Sequence, residues 1–363
     1  MTSFLQGALA LATVTGLGTT SAAASGEWTS LDAEASKLAS TLGQTPSGPS
    51  IGVLIRSSFD FSSDDNFEVD DSGTPEDLMG LRFQDARLWA QGNVGEFNWR
   101  LSFDFAESNG QPTTSTSDGI GGADLQDAYA QWQCAESLRI TWGQFICPPL
   151  RSTLNREDRL LFIDRTVLGG RFEVWQPGVA LDGQMEAFHW KLAVQNGADG
   201  TAEDVGITAR GEYNIGAGAW QTEGAYDAPE GTNATIGLAW FDEGQLDDGS
   251  MLVVDAMATF GEFSAQAELA DLDDDLAPMM FNVTEGNTPF SVTGGYMIRP
   301  QEWEVALRFQ DLDDDLDTTI LGAGVNYYQA GHAAKWQLNI SQYDDDNDDG
   351  LIFQLGLTVG TDA

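Results

Sequence analysis

Basic side chains, cysteine, histidine and long apolar runs are all scarce in this sequence, and each scarcity closes a class of function. Sixteen Lys+Arg face 57 Asp+Glu among 363 residues, a formal net charge of −41. A chain of that sign repels another polyanion, which excludes nucleic acid as a partner. Two Cys and two His are too few for a disulfide scaffold or a Cys/His zinc centre. No run of about 18 apolar residues occurs, so no helix is expected to span a membrane. Catalytic patterns are missing as well. There is no Gly-x-Ser-x-Gly, HExxH or P-loop, and neither His189 nor His332 has an obvious nucleophile beside it. An enzyme is not expected. Yet 42% of the residues are hydrophobic, too many for a disordered acidic chain.

What is present is organised. Residues 1–24 read as a secretory signal, with a weakly apolar stretch over 4–18 and Ala22-Ala23-Ala24 before Ser25. No Lys or Arg precedes the apolar stretch. Residues 25–49 form a polar N-terminal leader, where Leu31, Ala35, Leu38 and Leu42 would suit a short helix stopped by Pro46 and Pro49. From residue 50 to the end, the pattern has period two.

Over 302–310, Trp303, Val305, Leu307 and Phe309 alternate with Glu302, Glu304, Ala306, Arg308 and Gln310. Trp336, Leu338 and Ile340 do the same over 334–342, and Phe353, Leu355 and Leu357 over 351–359. One apolar and one polar face per strand follows. Sixteen segments of this kind can be marked, from 50–61 to 349–360. Tight turns alternate with long or acidic connections. An even number of strands, each long enough to cross a bilayer when tilted, predicts an all-β transmembrane antiparallel barrel over 50–363. A soluble sandwich would use shorter strands and could not hide so much apolar face. Trp303, Trp336 and Phe353 are expected to face lipid or a neighbouring subunit, Leu307 to lie on the same outer face, and Ala306 to face a wet lumen. One connection breaks the rule: 216–230 is too long for a turn at its parity.

Charge is distributed unevenly. The connections 62–79, 242–248, 271–287, 311–317 and 344–349 hold 26 of the 57 acids and no Lys or Arg. If strand 1 runs outward, all five open on one extracellular rim. That rim attracts cations within a Debye length of about 8–10 Å. Arg151, Arg156, Arg159, Arg165 and Arg171 instead crowd into the longest connection, 147–173. A loop of that length, after strand 5, is expected to fold inward and set the pore constriction. Arg56, Arg100, Arg139, Arg210, Arg308 and Lys335 fall on the polar, lumen face. Whether these cations meet solute or pair with Asp60, Asp104, Asp127, Glu212, Glu302 and Glu304 is open from sequence.

Ordered motifs then point to a family. Trp142-Gly143-Gln144-Phe145, Pro148-Pro149-Leu150, Phe162-Ile163-Asp164-Arg165, Gly170-Arg171 and Gly178-Val179 resemble the central stretch of the phosphate-selective porins O and P. Gly294-Gly295-Tyr296, Ile298, Trp303-Glu304, Arg308, Gly324, Asn326-Tyr327-Tyr328, Gly331-His332 and Lys335 resemble its C-terminal third. The resemblance, over roughly 80–360, implies a sixteen-stranded outer-membrane channel, commonly a homotrimer, set in outer-membrane lipid and passing small solutes or ions by diffusion. Two departures stand out. Ile146-Cys147 follows the Gly-Gln-Phe motif where family members often carry Lys, and the only lysines are Lys37, Lys191 and Lys335. The alternative class is a structural or surface-interaction barrel whose acidic loops bind divalent cations or a partner layer.

Asp345-x-Asn347-x-Asp349-Gly350 matches the first half of a calcium loop, but Gly356 stands where its closing Glu belongs. No cofactor is expected beyond weak Ca²⁺ at such acidic loops. Cys134 and Cys147 flank a strand about 36 Å long at about 3.3 Å per residue, so they should not pair with each other.

Overall fold

In the computed structural model the residues described are 48–62, 68–69, 75–76, 79–106, 123–197, 205–219, 222–244, 249–281, 283–346 and 349–361. The signal and nearly all of the leader lie outside them. Sixteen strands close an antiparallel barrel in chain order. They are β1 (Ser50–Ser62), β2 (Met79–Val94), β3 (Phe97–Asp104), β4 (Asp124–Ala135), β5 (Leu138–Ile146) and β6 (Trp175–Met185). Next come β7 (Phe188–Asn196), β8 (Val205–Ile215), β9 (Thr232–Asp242), β10 (Ser250–Phe260) and β11 (Phe263–Leu272). The last are β12 (Phe290–Arg299), β13 (Trp303–Asp311), β14 (Thr319–Tyr328), β15 (Ala334–Asp344) and β16 (Asp349–Gly360). β1 pairs with β16 on one side and β2 on the other, so no edge is left open. The first tight hairpin turns at Gly95-Glu96, with Gly95 at φ +62, a left-handed backbone that glycine adopts readily.

Alternation carries the architecture. β11 reads exposed, buried, exposed along its whole length. Leu307, near the middle of β13, is 65% exposed while Ala306 beside it is 3% exposed. Trp303, Trp336 and Phe353 are exposed on the outer face. Outer-face aromatics cluster near one end of the strands: Phe263 stacks with Phe260 and Tyr296, and Trp303 with Tyr327. An apolar band with such a girdle belongs in a bilayer, where Trp and Tyr sit at the interface.

Ala306 corrects an expectation. Its side of the wall is dry, because Leu161 and Phe162 pack on it. Glu302 also differs, lying in the turn before β13 and pairing with Arg299 at 2.9 Å rather than facing the lumen.

Two connections enter the barrel. The 147–173 loop holds α1 (Arg151–Leu154), a 3-10 turn (Glu157–Arg159) and α2 (Val167–Arg171), whose N-cap Thr166 accepts from the Gly169 N–H. It enters between β5 and β6. The anomalous 216–230 connection enters from the opposite end and meets it: the Leu161 N–H donates to Glu223 at 2.9 Å. Its length at the wrong parity thus has a structural reason. A further connection, at the same end of the barrel as the 147–173 loop, carries α3 (Ala277–Met280) and covers an apolar cluster inside the barrel. That cluster packs Leu150, Leu168 and Phe172 of the loop against Phe241, Met251 and Val253 of β9 and β10.

Candidate functional site

The loop is seated by missing side chains. Ala306 lies opposite Gly295 in β12 and Gly324 in β14. A Cβ added at Gly295 would meet Leu161 at 3.0 Å, at Gly322 Phe162 at 2.9 Å, and at Gly356 Ile163 at 2.8 Å. The glycines of β12, β14 and β16 are the pad on which the apolar tip of the loop rests. Wall side chains then hold its backbone. Asn339 accepts from the Ile163 N–H at 2.8 Å, Asn326 donates to the Leu161 carbonyl at 3.0 Å, and Gln310 accepts from Val167 at 2.7 Å. Lys335 donates to the carbonyls of Asp158 and Leu160. These contacts satisfy polar groups that would otherwise be buried without partners.

Ion pairs fix the rest. Arg82 lies 3.0 Å from Asp60 and 2.5 Å from Asp164 of the loop. Arg87 is 2.9 Å from Asp85 and from Glu157, and also neighbours Asp104. Arg308 meets Glu223 at 3.0 Å and donates to the Asp164 carbonyl. Burial works against the charge on Glu157, but Arg87 and Arg165 outweigh it and hold the carboxyl below the usual range. Asp164 is likewise buried and held low, chiefly by Arg82. At the turn before β15, burial pushes the His332 imidazole down to about 3, helped by Lys335. His332 faces the Asp158 carbonyl through Nδ1 and stands edge-on to Tyr226 and Tyr328.

The five loop arginines separate. Arg151 is buried, donating to the Ala219 carbonyl, and burial lowers its guanidinium to about 10. Arg165 staples the loop to itself, pairing with Glu157 and Glu173 at 2.9 Å and donating to the carbonyls of Ser152 and Asn155. Arg171 is exposed over the Phe281 ring. Arg156 forks onto Asp158, and Arg159 is half-buried nearby. Of the wall set, Arg56, Arg210, Arg308 and Lys335 are buried, while Arg100 and Arg139 remain part-exposed, as does Lys191, which the sequence did not single out for the lumen. Arg210 is held between Glu212 and Asp255.

Arg82, Arg87, Asp85 and Glu223 were not singled out from sequence. β2 carries a bulge at Gln84, where the pairing steps from Arg56–Asp85 to Ser57–Phe83. The extra residue flips the parity, so Arg82 and Arg87, five apart, both point inward. The signal was present: outward Phe83 and Leu88 are also an odd number apart. Of the calcium-like residues, Asn347 lies outside the described residues. Among the described residues no three His, Cys, Asp or Glu converge as a metal site. In the two Leu-Asp-Asp-Asp-Leu repeats, Asp273 accepts from Ser250 and Leu276, and Asp314 from Thr318. Cys134 and Cys147 are free thiols.

Space remains beside the loop. Two cavities of about 560 and 420 Å³ adjoin it and share Leu154. The larger is lined by β4 to β8, the smaller by residues 153–158 of the loop and by β1 to β4 and β16, and both hold part-exposed charged side chains. A closed barrel with a polar interior, a loop drawn across it and water-sized space beside that loop is the arrangement of a diffusion channel.

Residues 55–289 match the family model of the phosphate-selective porins O and P. The chain belongs to that family. It is a porin, a passive channel of the outer membrane, and family and fold point to a channel rather than an enzyme. OprB of Pseudomonas putida shares its fold at TM-score 0.60 and 9% identity, over 90% of this chain and 97% of that one. OmpT of Vibrio cholerae lacking loop L8 gives TM-score 0.58 at 14% identity, over 86% and 99%. An anion-selective porin from Comamonas acidovorans gives 0.57 at 10%, over 86% and 99%. Among curated proteins no relative matches the sequence.

Proposed function

We propose that this porin passes small cations and neutral solutes and has no preference for phosphate. The observation that carries this is the pairing of its cations. Arg82, Arg87, Arg156, Arg165, Arg210 and Arg308 each have a carboxylate within 3.0 Å. A guanidinium committed to a carboxylate has little left to offer a passing anion. Arg156 and Arg159 are the loop arginines that face the passage in this reading. Arg151, Arg165 and Arg171 are occupied in holding the loop. The acidic rim then sets the sign of selectivity at the mouth, within the reach that salt allows. The reversal potential across a KCl gradient tests it. Cation preference is expected, shrinking but not inverting as salt rises. An anion preference at high salt, or block of the chloride current by millimolar phosphate, overturns the reading. We extend to this chain the homotrimer described for OmpT of Vibrio cholerae. Chemical cross-linking in native membranes should then yield a trimer band.

A further inference from the structure

The two inserts do not fill the barrel evenly. The loop touches β11 through Ser152–Glu268 and Asn155–Gln266, β13 through Gln310, β14 through Asn326, and β15 through Lys335 and Asn339. It reaches β1, β2 and β16 through Arg56, Arg82 and Gln354. The segment from the other end adds to the same side, with Ala225 on Glu304 and Tyr226 stacked on Tyr328 at 4.3 Å. The apolar cluster closes the wall of β9 and β10. Basic side chains on this packed side are sealed: Arg308 is 4% exposed and Lys335 is fully buried.

The wall from β3 to β8 is different. The cavity of about 560 Å³ lies along β4 to β8, and the one of about 420 Å³ runs from β3 and β4 round to β1, β2 and β16. The cations of β3, β5 and β7 keep solvent-facing surface, while Arg210 in β8 is buried. The side chains of Arg100, Arg139 and Lys191 are 21%, 39% and 28% exposed. Arg139 and Lys191 are cross-strand neighbours of one residue, Asp182, in β6. They share its carboxylate at 3.5 and 3.2 Å. Two cations on one anion leave a positive charge over at this point of the wall, although Glu136 lines the same cavity and Arg210 beside it lies between Glu212 and Asp255. The nearby carboxylate of Glu212 is committed to Arg210 at 2.8 Å.

We propose that solute crosses this barrel along the β3–β8 wall, and that Arg139 and Lys191 around Asp182 limit its cation preference once the rim is screened. The proposal rests on the reading of the protein as a conducting porin. Along this route a cation that has passed the rim meets two part-exposed positive side chains, which offset part of the preference the rim imposes without reversing it. Charges in a confined, partly desolvated space act more strongly than the same charges in open loops.

The test separates route from conduction. In a Cys134→Ala, Cys147→Ala background, Lys191→Cys and Arg139→Cys are treated with a membrane-impermeant thiol reagent during planar-bilayer recording. Ser291→Cys and Ser341→Cys, inward positions on the packed wall, serve as comparison. Modification at 139 and 191 is expected to cut the conductance by about half or more, and the reagent to leave it unchanged at 291 and 341. Separately, the double variant Arg139→Gln, Lys191→Gln should raise the cation-to-anion permeability ratio several-fold at 1 M KCl, about one decade per 1.4 kcal/mol of barrier. Block from 291 or 341 but not from 139 or 191 overturns the proposed route. An unchanged permeability ratio overturns the assigned residues. If the unmodified barrel carries no current at all, the porin reading itself fails, which is a different outcome.

Discussion

Ala306→Arg and Leu307→Arg place the same side chain on opposite faces of adjacent residues, and the two should fail in different ways. Leu307 is 65% exposed on the outer face near the middle of β13. An arginine there costs about 2–4 kcal/mol if it lies at the bilayer midplane. Barrel stability should fall by that amount with little change in the lumen. Ala306 instead sits under Leu161 and Phe162, with glycine opposite it on both neighbouring strands. Overpacking that site costs about 1–3 kcal/mol. Burying a new guanidinium adds several more unless it finds a free carboxylate. Glu304, two residues away on the same face, already accepts from the Tyr328 hydroxyl and the Ala225 N–H at 2.6 and 2.7 Å.

The cheaper escape is to eject the tip of the loop. Releasing the Leu161 and Phe162 side chains forfeits about 3–6 kcal/mol of apolar burial. That is comparable to the clash, and it leaves the nine-pair ladders of β13 with each of its neighbours intact. Ala306→Arg should therefore fold but conduct more, with noisier open current, as the loop leaves its pad. Unfolding in urea against lipid vesicles, followed by tryptophan fluorescence, gives the stability change; planar-bilayer recording gives the conductance. Wild-type conductance in Ala306→Arg with an undisturbed barrel would refute the packing described here.

Removing Glu223 by Glu223→Ala should strand Arg308 in a buried position, at a local cost of about 3–5 kcal/mol. Limited proteolysis should then cut within 216–230, and persistent protection would count against the meeting of the two inserts. Acid should loosen the loop. Glu157 and Asp164 are held below the usual carboxylate range, so their contribution is present at neutral pH and lost as pH falls through their depressed values. His332, down at about 3 against 6.5, acts in the same direction, because a released turn takes up the proton between those values. Glu173, raised by burial, opposes them. Conductance should thus rise and fluctuate more between pH 6.5 and 3, and a flat profile would mean that these groups do not hold the loop. On intact cells, antibodies should reach 311–317 and 344–349 but not Ala330-Gly331; the reverse pattern inverts the topology.

The strands were legible because lipid on one side and a polar lumen on the other force a strict period of two. A one-residue slip there would expose an entire apolar face to the lumen. The same rule misled wherever its premise failed. At Gln84 a bulge changes the parity, and Arg87 was lost from view. At Ala306 the inner face is not wet but packed, which alternation cannot register, since a small residue suits water and suits a close neighbour equally. The glycines at 295, 322, 324 and 356 held the missing information. Inward glycines on three strands, in a barrel with a long loop to place, mark where that loop lies. The 216–230 connection was visible as an anomaly of length, but the sequence alone gave it no partner.

The lumen resolves a tension that composition alone leaves standing. A net charge of −41 suggests a molecule strained by its own field, yet the interior is close to balanced, pair against pair. Desolvating so many ions is expensive, and buried pairs often add little net stability. Their use here lies in placement. A barrel cannot bury its apolar face in its own core, since that face is turned to lipid, so a loop crossing the lumen has to be fixed mainly by polar contacts with defined directions. Arg82, Arg87 and Arg308 each bind a wall carboxylate, or that of the opposite insert, together with a group on the loop. That arrangement positions the loop to within a hydrogen bond at three points, from β2 and from β13. The cost is paid in cations removed from the passage. What selectivity remains must come from charges left outside these clamps: the acidic rim, and against it the uneven trio of Arg139, Lys191 and Asp182.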